Sequence, residues 1–186
     1  MTLECTPGAI LVVVESPMSP CCAPEKTIKP VGRRCPQSGS VGSAVDRQTI
    51  KALLTERALR RLTPGEYRFC SDPRCQVVYF DGNEMRFGAE DLRVPVWQKL
   101  PFGTRPVCYC FGESEASIRA EFEAFRRSLA AERIREHIAA GRCACEVRNP
   151  RGTCCLGDVI AAVKRVELAV AEATSERGIA VQADVK

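Results

Sequence analysis

Twelve cysteines in 186 residues, against a single histidine, make thiol chemistry the first question this sequence raises. Cys5 apart, they fall in two groups. The first is Cys21-Cys22, Cys35, and the pair in "CSDPRC", Cys70 and Cys75. A C-x4-C pair spanning a proline turn between two strand-like runs aims both sulfurs at one point, and tetrahedral zinc needs four such ligands. Cys70 and Cys75 supply two, Cys35 a third, and one of Cys21 or Cys22 the fourth. Adjacent cysteines seldom both fit one tetrahedron, and Cys22 is the choice taken here. The second group is Cys108 and Cys110 in "VCYCF", then Cys143, Cys145, Cys154 and Cys155 in "RCACEVRNPRGTCC". In an extended segment residues i and i+2 project from the same side, so Cys108 and Cys110 can address one metal. Four thiolates complete either a structural zinc site or a 2Fe-2S cluster, and spacing alone leaves both open.

Whether such thiols are bridged or bind metal depends on the compartment. The start "MTLECTPGAILVVVESP" has no Lys or Arg, and its apolar core "AILVVV" is shorter than the roughly 7–15 residues of a secretory signal. No segment approaches the roughly 20 apolar residues that span a bilayer. The expectation is a cytoplasmic chain with no membrane span and reduced thiols, in which dense cysteines mean metal rather than disulfides. The net charge is +4, and the basic residues occur in short pairs such as Arg33-Arg34, Arg60-Arg61 and Arg126-Arg127. That pattern suits solvated helix faces and gives no nucleic-acid footprint. No nucleophile-base pair or nucleotide-binding glycine motif is present, so a stand-alone enzyme is not expected.

The elements that must position the thiols read as an α+β fold in two units, each small enough to need help from a metal. Residues 1–20 read as a disordered extension. Residues 21–104 read as a zinc-binding domain: a Gly/Ser-rich loop "CPQSGSVGSAV", a helix capped by Asp46 and carrying Ile50, Leu53, Leu54, Leu59 and Leu62, then strand runs "YRFC", "CQVVYF" and "LRVPVWQ" in a small antiparallel sheet. Leu100 to Pro106 is the expected linker. Residues 105–173 read as a helical domain. Ile118, Phe122, Phe125 and Leu129 make one apolar stripe from Ser114 onward, with a bend near Ala130-Ala131 and a second short helix ending at Gly141. "NPRG" supplies the turn that returns Cys145 towards Cys155, and a last helix from about Cys155 to Ala173 carries Val159, Val163, Val166 and Val170. Residues 174–186 read as a frayed tail.

Taken in order, "CCAPEK", "RRCPQSG", "YRFCSDPRCQVVYF", "LRVPVWQ", "RPVCYCFGESEASI" and "CACEVRNPRGTCCLGDVIAAVKR" resemble the N-terminal metal-binding region of CopZ-type copper chaperones. The second part is similar to the 2Fe-2S domains of the bacterioferritin-associated ferredoxin type. The resemblance runs from about Cys21 to Arg165. It implies a zinc site in the first domain and a 2Fe-2S cluster in the second, carried onto Cys108, Cys110, Cys145 and Cys155. Where some relatives have a CPxC pair, this chain has Cys35 followed by Ser38, and Cys22 is recruited for that reason. There is no MxCxxC motif and no length for the copper-carrying domain of such chaperones, so copper delivery by that route is not expected.

Helical geometry agrees with that choice of cluster thiols. Cys154 and Cys155 are consecutive at a helix start, so their side chains diverge by about 100° and only one faces the cluster. Cys155 lies where the first helical N–H groups converge, and those groups and the dipole stabilise a thiolate. Cys145 takes the remaining position, with Cys143 a spare thiol. The expected role is electron transfer or metal handling in copper or mercury homeostasis. Its partners would be a redox protein, soft-metal ions, or a metal-transport protein. Two other readings stand beside it: a structural double-zinc interaction module, and a thiol-rich sink for soft metals such as Cu(I) or Hg(II).

Overall fold

Aromatic and β-branched runs at Tyr67–Phe69 (β2) and Val77–Phe80 (β3) form the two central strands of a four-stranded antiparallel sheet. The computed structural model describes residues 32–183, with side chains as far as residue 173. The expected extension over residues 1–20, and Cys21 and Cys22, lie outside the described residues. Ser43–Val45 (β1) and Arg86–Gly88 (β4) complete the sheet in the order β1-β2-β3-β4, and Phe69 stands opposite Tyr79 across the central pair. On the sheet packs α1 (Arg47–Leu53), begun by Asp46, whose carboxylate accepts from Gln48 N at 2.6 Å. Ile50 and Leu54 join Tyr67, Phe69, Tyr79 and Phe87 in the apolar core of this half.

Three local expectations are corrected. The helix from Asp46 does not continue to Leu62. Thr55 N donates to Asp91 O, and Thr55 Oγ1 caps a separate turn, α2 (Glu56–Leu59). "LRVPVWQ" is not a strand: Leu92 makes one bridge to Leu54, Pro95 has no N–H to give a ladder, and Trp97–Lys99 closes a 3-10 turn. The Gly/Ser-rich stretch, expected as loop, contributes β1. Gly42 just before it lies against the sheet so closely that a Cβ would stand 2.6 Å from the Phe80 ring.

The second half begins with a hairpin, β5 (Pro106–Cys108) and β6 (Glu113–Ser114), and continues in helices. Ser114 Oγ accepts from Ser117 N at 3.0 Å and starts α3 (Glu115–Phe125). Arg126 ends that helix in the left-handed conformation, with φ of 59°. α4 (Ala130–Ala139) follows, so the break falls at residues 126–129 rather than at Ala130-Ala131. The expected stripe is cut short: Ile118 is buried and Phe122 packs on the core, but Phe125, at the end of α3, is 72% exposed and Leu129 is exposed too. After one turn at α5 (Cys145–Arg148) comes the long α6 (Leu156–Ala183), ten residues past its expected end. Val159, Val166 and Val170 make its buried face, with Val163 packed alongside.

Residues 100–106, expected as a linker, are tied down. The buried Glu115 carboxylate accepts from Gly103 N at 2.7 Å and from Arg165 at 3.0 Å, with Arg105 at 4.0 Å. Buried charge persists only with such partners. No helix among the described residues is long and apolar enough to cross a membrane.

Arg133 joins three elements, bonding Glu113 of β6 at 2.8 Å and Glu121 of α3 at 2.7 Å. The Arg133 guanidinium, outweighing partial burial and helped by Ser128 and the Leu129 N–H, draws the Glu121 carboxyl from 4.5 down to about 2. A depressed carboxylate contributes stability that is complete above its unfolded value and is lost as pH falls through its folded one. Glu121→Gln should therefore flatten the fall of unfolding free energy between about pH 4.5 and 2, measured by urea titration. Gly42→Ala should cost about 1–3 kcal/mol through overpacking against Phe80, read in the same assay.

Candidate metal centres

The first thiol nest is built by two turns. In one, Cys35 N donates to Ser40 O and Gly39 N to Cys35 O, both at 2.8 Å, a tight loop closed by Gly39 at φ of 72°. In the other, Asp72 Oδ1 accepts from Arg74 N at 2.9 Å, folding "CSDPRC" between β2 and β3. Ser40 Oγ bonds Asp72 Oδ2 at 3.2 Å and ties the two turns together. The Sγ atoms of Cys35, Cys70 and Cys75 lie within 4.8 Å of one another, all buried, and Cys35 and Cys75 are 3.8 Å apart. With Val77 and Phe80 they form a small buried cluster of their own. Ser38 Oγ lies 3.5 Å from Cys70 Sγ, and Gln37 Oε1 3.6 Å from Cys75 Sγ. Burial opposes ionisation of Cys35, but the Ser38 and Gln37 N–H groups and the Ser38 hydroxyl outweigh it and bring the thiol to about 7. Burial, with the neighbouring thiols, pushes Cys75 up.

The second nest gathers cysteines from the β5–β6 turn and from the loop between α4 and α6. Asn149, almost fully buried, organises that loop: its amide donates to Thr153 O at 2.7 Å, and its side-chain oxygen accepts from Arg151 N at 3.1 Å. Gly152 closes the turn at φ of 67°. Cys110 Sγ stands 3.8 Å from Cys145 Sγ and accepts from Ala144 N at 3.4 Å. Cys108 is hydrogen-bonded by the Cys155 thiol. That bond leads the effects that bring it to about 6 despite burial, and the Phe111 and Cys110 N–H groups add to it. The same bond, then burial, drives Cys155 well up, and burial followed by the charge of Cys110 pushes Cys145 to about 12. Cys155 N also donates to Cys145.

Thus the thiols meet across the chain. Cys108 and Cys110, expected to act as a pair from one extended segment, contact Cys155 and Cys145 respectively, because β5 ends at Cys108 and the chain turns there. Cys155 is 1% exposed, whereas its neighbour Cys154 is exposed and Cys143 half-buried. All nine described cysteines are free thiols. His137 is not directed at sulfur: it stacks on Phe111 at 3.8 Å and accepts from Arg142 Nε at 3.0 Å.

Two residues have roles that spacing did not reveal. Tyr79 of β3 donates its hydroxyl to Pro150 O at 2.7 Å, 71 residues away. Tyr109, between two of the thiols, accepts from Trp97 N at 3.1 Å and donates to Pro95 O at 2.8 Å. Only their identity as tyrosines amid apolar residues hinted at a polar partner.

Comparison with known proteins gives this arrangement a family. A zinc-binding domain model of the CopZ type matches residues 32–93, the segment containing Cys35, Cys70 and Cys75. The copper chaperone CopZ of Archaeoglobus fulgidus is 32% identical over 146 residues, spanning 73% of this chain and 69% of that protein. The X-ray structure of the Archaeoglobus fulgidus CopZ N-terminal domain is similar with a TM-score of 0.54 and 32% identity, over 66% of this chain and 91% of that one. With a shared zinc-binding domain, sequence and fold, the chain belongs to the CopZ family.

Proposed function

We infer that the chain holds one zinc ion on Cys35, Cys70 and Cys75 with Cys22 as fourth ligand, and one 2Fe-2S cluster on Cys108, Cys110, Cys145 and Cys155. In this reading it handles metal with electron transfer, in copper or mercury homeostasis in the cytoplasm. The relative's name as a copper chaperone favours copper.

The observation that carries the reading is a distance. Two sulfurs about 2.3 Å from one tetrahedral metal stand about 3.8 Å apart. Cys35–Cys75 and Cys110–Cys145 both lie at 3.8 Å. The donor set also fits each group, all sulfur in both nests, with backbone N–H groups aimed at Cys108 and Cys110 as an anionic cluster requires. Bound there, a 2Fe-2S cluster takes up and returns one electron. The chain's part is to present four thiolates, keep water from the buried Cys108, Cys145 and Cys155, and leave Cys143 and Cys154 outside the ligand set. The division into a zinc-binding unit at 21–104 and a cluster-binding unit at 105–173 is supported by separate apolar cores, one from Val45 to Val96 and one from Val107 to Val170.

Protein purified without oxygen should be brown, contain iron, sulfide and zinc, and give an electron-spin signal on reduction. A colourless protein with two zincs per chain would favour the double-zinc module instead. Cys70→Ser and Cys22→Ser should lower zinc content and leave iron in place. Cys145→Ser and Cys155→Ser should abolish or alter cluster absorbance, while Cys143→Ser and Cys154→Ser retain it. A cluster that survives Cys155→Ser but vanishes in Cys154→Ser would overturn the assigned ligand set.

A further inference from the structure

The thiols of the second nest arrive on two separate segments, the turn Cys108 to Cys110 and the loop Cys145 to Cys155. Each segment is fastened to the sheet half by a tyrosine hydroxyl. Tyr79, fully buried in β3, donates to Pro150 O at 2.7 Å, midway along the loop. Tyr109, set between Cys108 and Cys110, bonds Trp97 N at 3.1 Å and Pro95 O at 2.8 Å. A third contact lies beside the first, where a Cβ on Gly152 would meet Thr49 Oγ1 of α1 at 2.8 Å.

None of these hydroxyl bonds serves the sheet's own core. A phenylalanine at position 79 would fill the same apolar space, and burying a hydroxyl is costly unless a partner repays it. The partner here belongs to the thiol loop. Tyr67 provides the contrast: equally buried in the same sheet, it bonds only its own neighbourhood, Thr63 Oγ1 at 3.0 Å and Thr63 O at 3.2 Å.

We propose that the zinc-bearing sheet is the positioning scaffold of the cluster, with Tyr79 and Tyr109 as positioning residues that fix the two thiol-bearing segments against one common support. The sheet supplies no cluster ligand. It sets how far apart the two segments stand and how readily they separate. This rests on the 2Fe-2S reading above. Groups outside the ligands of a metal site orient them and tune the metal, so the effect should be visible in the cluster's own signature.

The experiment uses the full chain, purified without oxygen, as parent, Tyr79→Phe, Tyr109→Phe and Tyr67→Phe. Iron, sulfide and zinc are measured first, then visible circular dichroism, the electron-spin spectrum of the reduced protein, and iron release to a ferrous chelator. Tyr79→Phe and Tyr109→Phe should keep zinc, shift both spectra, and release iron about tenfold faster, the scale of one hydrogen bond. Tyr67→Phe should keep the parental spectra and release rate, even with a lowered thermal midpoint. Parental spectra and release in both Tyr79→Phe and Tyr109→Phe, or equal changes in Tyr67→Phe, would overturn the scaffold while leaving the cluster reading intact. A parent free of iron and sulfide would overturn both. If Tyr79→Phe loses zinc together with iron, the sheet itself has failed, and Tyr109→Phe, outside the sheet core, decides by the same readouts.

Discussion

Thiols crowded into a small, largely buried volume repel one another once ionised, and this constraint organises the molecule. In the second nest interaction with the Cys155 thiol lowers Cys108 to about 6, and the same interaction with burial drives Cys155 far up. Cys35 and Cys75 diverge in the same sense. A soft cation displaces the thiol protons and gains the attraction of every thiolate, which is how metal binding becomes folding free energy. The turns around Gly39, Asp72 and Asn149 hold sulfurs that would otherwise separate.

The rest of the architecture serves that convergence. The sheet is small, but its aromatic residues Tyr67, Phe69, Tyr79 and Phe87 pack against Ile50 and Leu54 into a solid support. The helical half closes over the second nest with Ile118, Ile134, Val159 and Val166. Charged residues link its elements: Arg133 bridges β6 and α3, and buried Glu115 joins the start of α3 to Arg165 of α6 and to the chain entering the hairpin. These ties matter because the apolar core of each half is modest.

Much of this was legible in the sequence where the signal is local. Asp46 and Ser114 begin helices because a short polar side chain satisfies orphan N–H groups beside it. The valine repeat marks the buried face of α6 by helical period. Signals failed where a tertiary partner competed with them. Thr55 is as good a cap as Asp46 but sits within an apolar repeat, and its bond to Asp91 O splits the helix. Phe125 and Leu129 keep the period of a buried stripe, yet α3 ends at Phe125 and Arg126 turns the chain in the left-handed conformation, and both side chains are exposed.

The cysteines divide in the same way. Residue type and spacing determined that thiols come in two groups, that each is flanked by turn formers, and that Cys154 and Cys155 diverge. Only the tertiary structure decided which sulfurs meet: Cys35 with Cys75 across 40 residues, Cys110 with Cys145 across 35. It also decided that Tyr79 would reach Pro150 across 71 residues. Spacing reports the direction of side chains within one element. The separation of two sulfurs on different elements depends on how those elements pack, and no local pattern records it.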